Sequence, residues 1–292
     1  MSPKLPTRNS RSVAEISADT DAGLSKAELS KSYQFAFNDV DFINRPETRG
    51  IRFELELLKP ELVLKEHGIN HTIVVFGSAK CVSRESAQLL VQKAQSQAEK
   101  DHATQALENS KHYESARQFG ELVANYNLQQ SVNENRLRIC TGGGPGIMEA
   151  ANRGAFEAGD LSVGFNISLP HEQHPNKYLT PELSFRFHYF ALRKMHFMMR
   201  ARAIVAYPGG YGSFDELFEC LTLIQTKKIS RMPVILVDRK FWETVVRFDM
   251  LVGQGLIDES DYKLIQFVET PEKAWEAIYE WYELASQKSL PD

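Results

Sequence analysis

AIVAYPGGYGSFDELFE, Ala203 to Glu219, is the stretch whose reading decides the fold. An apolar run ends at Tyr207, a turn of Pro208, Gly209, Gly210, Tyr211 and Gly212 follows, and the pattern then predicts a helix opened by Ser213. Glycines at three of four positions let backbone come close to a ligand, and a helix starting there aims unpaired N–H groups and a positive dipole end at the same spot. That arrangement suits an anion. Ser213 also has the chemistry of an N-cap, and Glu216 three residues on would complete a capping box, so these residues alone equally describe a well-capped packing corner.

A second corner of the same kind lies upstream. RLRICT, Arg136 to Thr141, reads as a strand, Gly142, Gly143, Gly144, Pro145 and Gly146 as a turn, and Ile147 begins a helix running to about Ala158. No Gly-Lys-Ser/Thr follows, so this is not a nucleoside-triphosphate loop of the Walker type. A third strand end belongs with these two: HTIVVFGSAK has a buried run from Thr72 to Phe76 that stops at Gly77 and Ser78, without the G-x-G-x-x-G of dinucleotide-binding proteins. Glycine corners repeated at strand C-terminal ends predict a shared phosphate-type site at the edge of an open parallel sheet.

The rest of the chain fits an α/β protein. Leu161–Ile167 reads as a strand, 170–181 as a polar loop, 183–189 as an edge strand and 190–202 as a helix. Beyond the second corner come a helix over 214–226, a strand over 232–237, a helix over 241–253, a strand over 264–268 and a terminal helix opened by Pro271 through 285. Residues 83–126 read as two amphipathic helices with a polar junction near 102–110, longer than a crossover requires. Residues 1–30 lack an apolar period and read as a flexible tail or loosely docked helix, and 29–66 as short helices broken near Pro60. The expected division is an extension over 1–68 and a sheet domain over 69–292.

Composition excludes several classes. The 292 residues carry a net charge of −4, which gives no electrostatic support for binding a nucleic acid polymer or an acidic membrane. No apolar run reaches bilayer length and no signal-type apolar segment stands at the start, so a cytoplasmic protein is expected. Cys81, Cys140 and Cys220 are far apart, with no metal-ligand spacing, and read as reduced thiols; no metal site is expected. Lys227, Lys228 and Arg231 follow a helix end and read as a solvated charge cluster.

Three motifs together carry a resemblance. GGGPGIMEAANRGAFEAG at 142–159, LRKMHFMM at 192–199 and PGGYGSFDELFE at 208–219 are similar to the signatures of the LONELY GUY (LOG) family, across about residues 70 to 285. That family includes cytokinin-activating phosphoribohydrolases and bacterial proteins long labelled "possible lysine decarboxylase". The long helical stretch and the N-terminal extension resemble its longer bacterial branch. The resemblance implies a Rossmann-like domain that hydrolyses the N-glycosidic bond of a nucleoside 5′-monophosphate, such as AMP or a cytokinin-type purine nucleotide, to free base and ribose 5-phosphate. It implies catalytic roles for Arg193 and Glu216. Phosphate and ribose contacts fall on Gly209, Gly210, Tyr211, Gly212 and Ser213 with Lys194, beside Ser78 and the corner of Gly142, Gly143, Gly144 and Gly146. Ser213 stands where threonine is usual, Asp215 where many members have glutamate, and Glu172 in the PHEQ loop corresponds to a further nucleotide contact. The resemblance also implies a homodimer or higher homo-oligomer, and no cofactor.

The residue types suit that chemistry. A fixed carboxylate stabilises an oxocarbenium-like ribosyl cation, and a guanidinium clamps phosphate or steadies charge on the departing base. Amino-acid decarboxylation needs a Schiff-base lysine and a pyridoxal phosphate site, and no lysine here stands in such a context. A different class of function uses the same corners: a non-catalytic carrier for a nucleotide or a pterin-type cofactor, which has no need of the Arg193 and Glu216 pair.

Overall fold

A computed structural model describes residues 30–130, 136–169 and 174–287. The chain divides into two compact units, with the boundary between Leu55 and Glu56. In the first, α1 (Val40–Ile43) is capped by Asp39, whose carboxylate accepts from the Phe42 amide at 2.9 Å. The Thr48 hydroxyl closes the following turn by donating to the Ile43 carbonyl at 2.7 Å. Helix α2 (Arg49–Glu66) continues through Pro60 instead of breaking there. Proline removes one amide donor from the helix, and burial of the ring accompanies that loss. The tail expected over 1–30 falls almost entirely outside the described residues.

The second unit is an α/β sheet domain. Its elements are β1 (His71–Phe76), α3 (Arg84–Lys93), α4 (Gln97–Gln129), β2 (Leu137–Thr141), α5 (Ile147–Glu157), β3 (Ser162–Ile167), β4 (Ser184–Phe187) and α6 (Phe190–Met199). They continue as β5 (Ala201–Ala206), α7 (Tyr211–Gln225), β6 (Val234–Val237), α8 (Arg239–Val245), α9 (Phe248–Gly253), α10 (Glu259–Tyr262), β7 (Ile265–Val268) and α11 (Pro271–Gln287). All neighbouring strands pair in parallel, in the order β4-β3-β2-β1-β5-β6-β7. The winding therefore reverses between β1 and β5, the position at which open parallel sheets bind ligands.

Side chains alternate across the sheet and build two cores. Ile73, Val75, Ile139, Ala203 and Val205 face Tyr113, Phe119 and Val123 of α4, Ile147 and Ala151 of α5 and Ile278 of α11. Val74, Phe76, Cys140, Phe165, Ile204 and Leu236 face Leu64 of α2, Phe197 of α6, Leu217 of α7 and Trp242 of α8. The Rossmann-like architecture read from the sequence is observed, with β4 at the expected edge.

Three expected boundaries move. The break between the two crossover helices lies at 94–96, not at 102–110, which is helical interior. Ser96 accepts from the Glu99 amide at 3.3 Å and Glu99 accepts from the Ser96 amide at 2.9 Å, a capping box that starts α4 there; the polar run is simply its exposed early turns. The helix expected over 241–253 is two, α8 and α9, interrupted where the β-branched Val246 takes an extended conformation after Val245. Helix α6 ends at Met199 because the Arg200 carbonyl is taken by the Thr72 amide at 2.8 Å, which turns 201 and 202 into β5.

Candidate active site

The two glycine corners are joined through the end of β1. Ser78 donates its amide to the Pro208 carbonyl at 3.0 Å and accepts from the Ile147 amide at 3.0 Å, so one residue ties both turns. Gly146 makes the second bond possible: it is the N-cap of α5 at φ +75°, and a Cβ there would stand 2.2 Å from the Ser78 oxygen. The upstream turn is held by buried amides that the sequence reading did not single out. Gly143 donates to Thr141 Oγ1 at 2.9 Å, the Asn176 amide donates to the Gly143 carbonyl at 2.8 Å, and Asn176 Nδ2 donates to the Gly144 carbonyl at 3.1 Å and to Asn152 Oδ1 at 3.0 Å. Each of these asparagines is buried and so must pair, but the chain order does not say with whom.

At the downstream corner the helix begins earlier than expected. Its N-cap is Gly210, at φ −101° and ψ −157°, with no side-chain cap bond. Ser213 and Glu216 are therefore interior residues of α7, and the capping box read from S-x-x-E does not form. The Ser213 hydroxyl packs under the turn instead, where a Cβ on Gly209 would meet its Oγ at 2.1 Å. Tyr211 is 95% exposed at the mouth of the corner. The first amides of α7 thus have no side chain of their own turn to satisfy them.

Helix α6 brings Arg193 to this place. Its Nε donates to the Phe165 carbonyl at 2.8 Å, its guanidinium lies 5.2 Å from the centre of the Phe197 ring, and Nη1 stands 4.0 Å from Glu216 Oε1. Gly142 lies against the same group, since a Cβ there would be 2.7 Å from Nη2. Glu216 is 5% exposed, and its Oε2 has no hydrogen-bond partner among the described residues. Burial raises its pKa to about 7, against the pull of Arg193 and Lys194. Burial likewise holds Arg193 below its ordinary value, so desolvation outweighs attraction for both members of the pair.

Lys194 faces a different set. Burial opposes its charge, but Asp215 at 2.7 Å and Glu219 at 3.0 Å outweigh that and raise its pKa. The structure thus brings together Gly142, Arg193 and Glu216, ties Ser78 to Gly146 and Pro208, and pairs Lys194 with Asp215. Glu172 lies outside the described residues. A cavity of about 430 Å³ borders Ser78, Gly209 and Gly210, and its further walls are Lys111 and His112 of α4 and Asp238 after β6. Sequence reading gave no role to these last three residues, whose only signal was the extra length of the crossover. Among the described residues there is no group of three or more His, Cys, Asp or Glu side chains that would hold a metal ion, and no helix long and apolar enough to cross a membrane.

Comparison with known proteins agrees with the motifs. Residues 148–278 match the family profile described as "Possible lysine decarboxylase", the older label of the LOG-type family, which bears out the resemblance over that stretch. No curated protein matches the chain. Among solved structures, the molybdenum cofactor binding protein of the phototrophic bacterium Rippkaea orientalis is similar at 21% identity, over 59% of this chain and 88% of that one, with a TM-score of 0.42. The Moco carrier protein of Chlamydomonas reinhardtii is similar at 16% identity over 72% and 96%, with a TM-score of 0.41. The structural-genomics protein TM1055 is similar at 21% over 72% and 99%, with a TM-score of 0.46.

Proposed function

With the LOG-type pattern over residues 148–278 as premise, we propose that the protein hydrolyses the N-glycosidic bond of a nucleoside 5′-monophosphate, AMP or a modified purine nucleotide. The observation that carries this reading is the buried Glu216, one oxygen unpartnered, set 4.0 Å from the Arg193 guanidinium. A buried carboxylate with one oxygen left without a hydrogen bond among the described residues is poised for charge that appears only during reaction. In the proposed step the bond from C1′ to the base breaks and its electron pair leaves with the base. Ionised Glu216 stabilises the ribosyl cation, and water adds its hydroxyl to C1′ while its proton ends on the base. Arg193 steadies the anionic end or the departing base. The hydrolytic unit is proposed to be residues 69–292, working in the cytoplasm.

The test is incubation of the purified protein with a panel of nucleoside 5′-monophosphates, read by chromatography for free base. Release names the base. Nucleotides that bind and stay intact would replace the hydrolase by a carrier. Arg193→Lys sharpens the result: lysine keeps the charge but not the planar group that reaches the Phe165 carbonyl and lies over Phe197. We expect kcat/KM to fall about 10–100-fold and the melting temperature to drop by a few degrees, as the lost bond requires. A variant as active as the wild type would remove the guanidinium from the mechanism.

We further propose a homodimer or higher homo-oligomer. An open groove of about 990 Å³ between α6, α7 and α11, with Met195, Met198, Met199 and Met232 on its walls and Lys194, Arg202, Glu219, Lys228 and Arg231 among them, supports self-association. Light scattering at micromolar concentration tests it, and a monomer mass would refute it.

A further inference from the structure

Helix α6 delivers Arg193, yet it is poorly equipped to hold itself. Its N-cap, Tyr189, makes no side-chain cap bond, and its first turn contains no acidic residue. It also places two cations, Arg193 and Lys194, close to the positive end of its own dipole, where cations are disfavoured. The missing groups come from α2. Glu56 accepts from the His188 amide through Oε1 at 3.0 Å and from the Tyr189 amide through Oε2 at 3.2 Å, so one carboxylate caps the helix from outside. At the other end Glu61 takes the Arg200 guanidinium with both oxygens, the Nη2 bond being 2.9 Å, and stands 3.4 Å from His196 Nδ1. Arg200 is further held by its Nε donating to the Ile69 carbonyl at 2.9 Å.

The connection to Arg193 is direct. Tyr189, whose N–H bonds to Glu56, offers its own carbonyl to the Arg193 amide at 3.2 Å. Loosening the first turn of α6 therefore moves the base of the Arg193 side chain. The guanidinium has little room for this, lodged between the Phe165 carbonyl, the Phe197 ring, Gly142 and Glu216.

We propose that Glu56 and Glu61 are positioning residues which set Arg193 against Glu216 by fixing both ends of α6. The stretch of α2 that carries them, which the sequence reading left without a role, thereby becomes part of the active-site scaffold. The proposal rests on the hydrolase reading for its kinetic consequence but not for its structural one.

Two readouts test it. In hydrogen exchange on the free protein, Glu56→Ala is expected to speed exchange of the Tyr189 and Arg193 amides about tenfold or more, with Glu56→Gln intermediate because its carbonyl oxygen still accepts one bond. Unchanged protection would overturn the proposal whether or not the protein hydrolyses nucleotides. In kinetics, Glu56→Ala is expected to lower kcat about tenfold, Glu56→Gln to recover most of it, and Lys59→Ala on the same helix to leave it unchanged. In an Arg193→Ala background, Glu56→Ala should have no further effect, because both act through one side chain. Fully multiplicative losses in the double variant would place Glu56 outside the path to Arg193. Absence of turnover in the wild type would refute the hydrolase and leave the exchange result to decide the positioning.

Discussion

Glu216→Gln is expected to lower kcat by about 10²–10³-fold and, at alkaline pH, to make the protein more stable than the wild type. The two effects have one cause. Glutamine has nearly the volume of glutamate, so the 5% exposed site stays filled, but the charge that would face a ribosyl cation is gone. Burial has raised the folded-state pKa from 4.5 to about 7. A carboxyl raised in this way favours the folded state fully below its unfolded value of 4.5, and that contribution is lost as pH rises through about 7. At about 1.4 kcal/mol per pH unit, the wild type carries a cost of the order of 3 kcal/mol at pH 8 that glutamine does not. Thermal unfolding at about pH 5 and pH 8 should therefore show similar midpoints at the lower pH and a mutant several degrees higher at the upper one. The same ionisation predicts that wild-type kcat rises with pH through about 7, because the carboxylate is the working form. A glutamine variant that is less stable than wild type at pH 8 would contradict the burial argument. One that still hydrolyses nucleotide at the wild-type rate would take Glu216 out of the chemistry.

How much of this was legible in the sequence follows from the range of the interactions involved. Strand 72–76 shows itself because both faces are buried and Ile73 to Phe76 is continuously apolar, whereas 136–141 shows itself only through Leu137, Ile139 and Cys140 running into the glycine turn. The glycine corners show themselves because a turn at a strand end needs residues without a Cβ. Ser213 and Glu216 misled as a capping box because the motif is local, while α7 actually starts after an extended Gly210, in a turn whose Pro208 carbonyl accepts from the Ser78 amide. Ser96 and Glu99 carry the same motif, and there it forms. Spacing alone does not separate the two cases; the turn that precedes α7 is held by Ser78, more than a hundred residues away in the chain. The same holds for Glu56, whose partners are the amides of His188 and Tyr189. A carboxylate in a Glu- and Leu-rich helix carries no mark of which remote helix it caps. Arg193 was found through a motif, and its partners Phe165, Phe197 and Gly142 only through the fold.

Gly146→Ala and Gly212→Ala are expected to fail in opposite ways, and the contrast separates glycines required by the fold from those required by a ligand. At Gly146 the backbone is at φ +75°, and a Cβ would sit 2.2 Å from the Ser78 carbonyl oxygen, which is backbone and cannot swing aside. Strain together with loss of the bond from Ile147 to Ser78 should cost about 3 kcal/mol or more, visible in denaturant unfolding, with both corners displaced. Gly212 is the reverse: it is helical, its φ is ordinary and a Cβ would meet nothing within 4 Å among the described residues. Alanine there should stabilise α7 by about 0.5–1 kcal/mol. Among the described residues nothing asks for glycine at 212, so the proposal that a ligand uses the first turn of α7 is tested there. If that ligand is the phosphate of a nucleotide, Gly212→Ala should weaken AMP binding in calorimetry by about tenfold or more while unfolding later than the wild type. Wild-type affinity in that variant would move the anion away from the α7 N-terminus. Loss of affinity accompanied by loss of stability would mean that the turn, and not the ligand, had been disturbed.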